Sequence, residues 1–123
     1  MRIASAVLAA ATLALSAAAA NAAPVHVDDT QFLAANRCLG LMTSHTLGSP
    51  DATALRQFIH DQSWGRVAFV YDKADELRDT AMHTADRADT DLRARLTAER
   101  DGVCHSFVNM TTAGGRGTNS SIQ

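Results

Sequence analysis

The stretch VAFVYDKADELRDTA, residues 67–81, decides the fold class. Val67, Val70, Tyr71, Ala74, Leu77 and Ala81 recur at steps of three and four, the spacing that lines one face of an α-helix. Val67 to Tyr71 is strand-prone by itself, but the next ten residues continue at helical spacing. Asp72, Glu76, Asp79 and His83 share the opposite side, so the stretch reads as a helix with a buried stripe and a solvated face. No run elsewhere in the chain sustains the alternation of a half-buried strand.

Working towards the amino terminus, Ser63-Trp64-Gly65-Arg66 interrupts the pattern. Gly65 marks either a bend between two helices or a close packing point inside one long helix. Before it, Ser49 as N-cap, Pro50 in the first turn and Asp51 open a helix that turns Leu55, Phe58 and Ile59 inward. His60 and Asp61 belong to its outer side. Earlier still, Asp28-Asp29-Thr30 offers N-caps and first-turn acids. Phe32, Ala35, Leu39 and Met42 follow as a stripe, with Cys38 and His45 on its flank, and Leu47-Gly48 closes that helix.

Towards the carboxyl terminus, Thr84 to Thr90 is a polar connection. A last helix beginning near Asp89 carries Leu92, Leu96, Val103, Cys104, Phe107 and Met110 inward. Residues 113–123 are glycine- and serine-rich, without period, and read as a disordered tail. The fold class is therefore all-α: three to four helices in a small array or bundle, with one domain over 23–112.

The first 22 residues set the compartment. Met1-Arg2 is a short positive start, Ile3 to Ala20 is almost wholly apolar, and Ala20-Asn21-Ala22 is a small-x-small site. That order describes a signal peptide over 1–22, cleaved after Ala22 or one residue later. The run is nearly long enough to act as an uncleaved anchor, but alanine gives a weak hydrophobic drive. The alanine-rich leader has a bacterial character. The expectation is a periplasmic or secreted product with no membrane segment after cleavage.

Eleven basic residues stand against thirteen acidic ones, a net charge of −2. A mildly acidic surface argues against nucleic acid and anionic membranes as partners.

Two cysteines in a small exported domain most often pair. Cys38 lies mid-way along the first helix and Cys104 within the last, both on or beside buried stripes, which makes a disulfide between the terminal helices the expectation. A redox pair normally sits in C-x-x-C, and these two are 66 positions apart. The metal alternative rests on Cys38, Met42 and His45 at i, i+4 and i+7, a soft donor set that suits Cu(I). Against it, the same spacing is simply that of a core face.

Other chemistry is poorly supported. Cys104-His105 has the end of a covalent haem motif, but Asp101 stands where its first cysteine belongs. Met42 and His105 could in principle supply axial ligands for non-covalent haem, and a core methionine with a boundary histidine explains them more simply. Asp72, Glu76, Asp79 and His83 offer divalent-ion donors, yet one helix face rarely completes a coordination shell. There is no Gly-x-Ser-x-Gly elbow and no phosphate-cradling glycine loop that opens a helix. No catalytic residue, metal site or cofactor is assigned, and the chain is not expected to be an enzyme.

With Asn36-Arg37-Cys38-Leu39 in the first helix, Trp64-Gly65-Arg66 centrally and Val103-Cys104 in the last helix, the chain resembles small exported two-cysteine helical proteins of bacteria, a group without an assigned function. In them an Arg-Cys pair comes early, an aromatic-Gly-Arg step sits centrally and a late cysteine is followed by apolar residues. The likeness covers most of the chain after the leader, and the charged stretch Asp72 to Arg87 departs from it. It implies export, helices and a bridge, and adds no activity. The expected function is that of a non-enzymatic exported helical protein acting through a protein partner, as a chaperone or as an inhibitor or immunity protein does. A metal- or haem-carrying helical bundle is the alternative.

Overall fold

The computed structural model describes residues 26–48 and 50–115. The leader over 1–22, the N-cap assigned to Ser49, and the tail from Arg116 onward lie outside the described residues. The described chain is all-α: α1 Asp29–Thr43, α2 Thr53–Gln62, α3 Ala68–Asp86, α4 Thr90–Asp101 and α5 Val103–Gly115. The last helix expected from the sequence is present as α4 and α5, joined at Gly102, so an array of four helices has its final member broken.

α1 is the hub. Asp28 caps it, its side chain accepting the Gln31 N–H at 2.8 Å. Phe32, Ala35, Asn36, Cys38, Leu39, Gly40, Leu41 and Met42 are all buried, and the helix touches each of the other four. A helix apolar on nearly every side must be covered on nearly every side. α3 runs parallel to it. Phe32 meets Tyr71 edge-on, with ring centroids 6.5 Å apart, and further along the Ser44 hydroxyl donates to Asp86 and the Thr46 hydroxyl to the Ala85 carbonyl. The face that α3 buries is Val70, Ala74, Ala81 and Ala85, small enough for the two backbones to approach closely. At Gly40 a Cβ would lie 2.1 Å from the Arg78 carbonyl oxygen, so only glycine fits there.

Four cross-links set the remaining helices around α1. Cys38 and Cys104 form a disulfide, with Cα atoms 5.3 Å apart, tying α1 to α5. Arg37 grips Glu99 on α4 bidentately, at 2.7 and 3.0 Å. Phe58 on α2 packs on Phe107 on α5, centroids 5.7 Å apart. The Arg100 guanidinium donates to the Leu47 carbonyl, holding the loop after α1 to the end of α4.

Several expectations need correction. α1 stops at Thr43 rather than near Gly48, because Ser44 turns extended and its hydroxyl bonds to Asp86 at 2.7 Å. α2 opens at Thr53, three residues beyond Pro50, with the Asp51 carboxylate accepting the Thr53 N–H at 2.9 Å. Val67 is no core residue: it is the extended N-cap of α3 and is exposed. Tyr71 lies at the boundary, its hydroxyl donating to the Ser63 carbonyl. Val103 and Met110 are exposed too, while Cys104 and Phe107 are buried. The break at Gly102, with ψ at −89°, turns α5 so that its inward stripe is Cys104, Phe107 and Val108.

Gly65 is a bend. Its φ is +75° and a Cβ there would meet nothing within 4 Å, so the reason for glycine is the backbone conformation and not tight packing. At the far end α5 reaches Gly115, three residues beyond the boundary at 112 read from composition. Extending an existing helix is far easier than nucleating one, and composition does not register that.

Candidate functional site

Of the residues singled out for chemistry, only Cys38 and Cys104 are bonded to one another. The Cys38–Cys104 bridge uses both sulfurs, and neither Met42 nor His45 joins them in a donor set. Met42 is buried against the core, and His45 lies beyond the end of α1 on the exposed loop, so the i, i+4, i+7 face does not exist. Met42 and His105 do line one hollow, with Pro50, Arg100, Asp101 and Val108. Its volume is about 200 Å³, below the 300 Å³ or so at which small-molecule pockets begin. Asp72, Glu76, Asp79 and His83 are all exposed along α3, and the last three border an open groove with Arg87. Among the described residues no three His, Cys, Asp or Glu side chains converge as a metal site would need.

The corner between α2 and α3 is built differently. After Gln62 the chain turns through Ser63, Trp64 and Gly65, then enters α3 by way of Val67. Beneath the turn lies Arg66, whose side chain is only 2% exposed. Its Nε donates to the Gln62 carbonyl at 2.8 Å, Nη2 to the Val27 carbonyl at 2.7 Å, and Nη1 to the Asp29 carboxylate. The guanidinium carbon also stands 4.2 Å from the centre of the Phe32 ring, a cation–π contact. One side chain thereby joins the end of α2, the entry to α1 and the start of α3. Gln62 adds a second link, its Oε1 accepting the Val27 N–H at 2.8 Å.

That clamp fixes the backbone beneath a surface of large apolar side chains. Trp64 is 63% exposed, Val67 66% and Phe69 74%, all within six consecutive residues. His26 packs against the Trp64 ring, centroids 4.6 Å apart. The same two rings, with His60, Asp61, Gln62 and Ser63, border an open hollow of about 580 Å³. Leaving three such side chains in water forfeits roughly 1.5–3 kcal/mol of burial for each, and large apolar side chains exposed so close together in sequence mark a candidate interaction site.

Sequence reading missed this surface. Helical spacing places Val67 on the core stripe, and Trp64 stands in the sequence as part of an interruption and of the aromatic-Gly-Arg step, with no sign that it is exposed. The available signal was Phe69, a large aromatic that falls off the 70/74/77/81 stripe.

Comparison with known proteins finds no matching family model, no similar curated protein and no similar solved structure.

Proposed function

We propose that this chain is a non-enzymatic exported helical protein that works by docking a protein partner on the corner formed by Trp64, Val67 and Phe69. The observation that carries the reading is the combination found there: large apolar side chains held in water by a turn that Arg66 and Gln62 make rigid. Rigid aromatic anchors bind at low entropic cost, which is why tryptophan and tyrosine dominate binding hot spots. Export to the periplasm or beyond is supported by the leader and agrees with the Cys38–Cys104 bridge, since such bridges persist in oxidising compartments. Among the described residues no helix is long and apolar enough to cross a membrane.

The test is crosslinking in the native envelope and secreted fractions, comparing wild type with Phe69→Ala. Phe69 is exposed, so the variant keeps its fold by circular dichroism. A specific crosslinked partner that Phe69→Ala loses is the expected result. A partner captured equally by both proteins places the interface elsewhere. Amino-terminal sequencing of the exported product should begin at Ala23 or Pro24, and Met1 would overturn the export claim.

A further inference from the structure

The exposed apolar corner has a charged rim of one sign. Asp61 borders the same hollow as Trp64, Asp28 stands two residues from the His26 that packs on Trp64, and Asp72 lies one turn beyond Phe69 on α3. Among the described residues no lysine or arginine pairs with any of the three; Asp28 accepts the Gln31 N–H, and Asp61 accepts the Gln57 amide beside the His60 ring, which leaves each an exposed anion. The nearby cations are engaged elsewhere. Arg66 is buried under the turn on Asp29, Lys73 pairs with Glu76 at 2.9 Å, and Arg56 lies in a separate hollow with Asp51. The whole molecule leans the same way, with thirteen acidic side chains against eleven basic ones.

From this we infer that the corner receives a basic amphipathic segment of a partner protein, an apolar anchor on Trp64, Val67 and Phe69 with lysine or arginine facing Asp28, Asp61 and Asp72. The inference rests on the docking reading above and adds the chemistry of the partner. Charge complementarity selects this occupant over the others. A second copy of the chain would bring one acidic rim against another across a two-fold interface. An anionic bilayer would meet the same repulsion. A basic segment gains attraction at the rim while its anchor covers the apolar centre, the division of labour seen across protein interfaces.

The chain has a single tryptophan, at the centre of the surface, so its emission reports occupancy directly. The probe is an 18-residue amphipathic peptide of leucine, phenylalanine and lysine, with a twin in which every lysine is glutamate. Titration of the full mature protein with the lysine peptide should shift Trp64 emission to the blue and saturate. The glutamate twin should bind at least tenfold more weakly. Phe69→Ala should weaken the lysine peptide about tenfold or more, and Asp61→Asn with Asp72→Asn about fivefold, with a smaller response to salt. Equal binding of the two peptides, a blue shift only on concentrating the protein alone, or one only with anionic vesicles would each overturn the inference. If the crosslinked partner is lost in Phe69→Ala but unaffected by Asp61→Asn with Asp72→Asn, the docking reading stands and its basic chemistry fails.

Discussion

At the scale of single residues, the structure depends on two positions whose sequence context gives little warning. Gly40 sits where α1 and α3 come closest, and the Cβ of an alanine would stand 2.1 Å from the Arg78 carbonyl oxygen and 3.0 Å from the Ala81 Cβ. Backbone cannot yield as a flexible side-chain tip can, so the helices must separate. Gly40→Ala should therefore cost about 3 kcal/mol despite alanine's better helix propensity, since overpacking outweighs a propensity gain of about 1 kcal/mol. Chemical denaturation measures it, and an unchanged midpoint would remove close approach as the reason for this glycine. Arg66 is the second position. Its planar fork reaches three acceptors while stacking on Phe32, an arrangement that a lysine ammonium cannot reproduce. Arg66→Lys keeps the charge and should still lose about 2 kcal/mol, because one ammonium cannot replace the three directed guanidinium bonds and the Phe32 contact. The same variant should redden and broaden Trp64 emission as the corner loosens. Stability and emission indistinguishable from wild type would reduce the clamp to ordinary packing.

At the scale of elements, the loop after α1 is fastened by one carboxylate. Asp86, at the end of α3, accepts the Ser44 hydroxyl at 2.7 Å and the His45 N–H at 3.1 Å. Thr46 turns its own hydroxyl to the Ala85 carbonyl at 2.7 Å. The Ser44 bond is the largest influence and holds the Asp86 carboxyl below its ordinary range; desolvation, second in size, opposes it, and the backbone donors of Thr46 and His45 add smaller lowering contributions. Asp51 is lowered by Thr53, and Asp101 by Arg100. A lowered folded-state pKa means the unfolded chain binds the proton more readily. The stability from these bonds is complete above the usual aspartate pKa of about 3.9 and is lost as pH falls through and below it. Melting temperature should thus fall on acidification below about pH 4, and Asp86→Asn should lower the neutral plateau and flatten that acid limb. Parallel limbs for the two proteins would show that Asp86 is not the coupled group. The elements also show what the sequence could reveal. A cap within Asp28-Asp29-Thr30, a helix start near Asp89, and the stripe of Val70, Ala74 and Ala81 are local signals, and they were legible. The interior position of α1 was not, because whether Leu41 is buried depends on the other helices packing around α1. Val103 was misread because a helical period carried through Gly102 assumes a straight axis. The docking corner was hidden for a related reason: periodicity finds the residues that face the core, and Trp64, Val67 and Phe69 are defined by facing away from it.

At the scale of the molecule, one covalent link spans most of the fold. Cys38 and Cys104 are 66 positions apart and both buried, and the loop they close contains all of α2, α3 and α4. In the chain-entropy picture, tying a loop of that length removes about 4 kcal/mol of freedom from the unfolded chain. A domain of this size has a net stability of only about 5–10 kcal/mol. The noncovalent ties between α1 and the α4–α5 pair are modest by comparison: the Arg37–Glu99 pair is partly exposed, and such pairs contribute about 1 kcal/mol. α5 otherwise reaches the body of the protein through Phe107 on Phe58 and through Val108 beside the core. Reduction should therefore lower the melting temperature by on the order of 15 °C or more, with α5 the first segment to lose hydrogen-exchange protection. Cys38→Ala and Cys104→Ala should each be nearly as damaging as the double variant, because either change removes the same constraint on the unfolded chain. Thiol titration of the unfolded, unreduced protein should find no free thiol. Two free thiols in that titration, or a melting temperature indifferent to reductant, would mean that the helices hold together without the bridge.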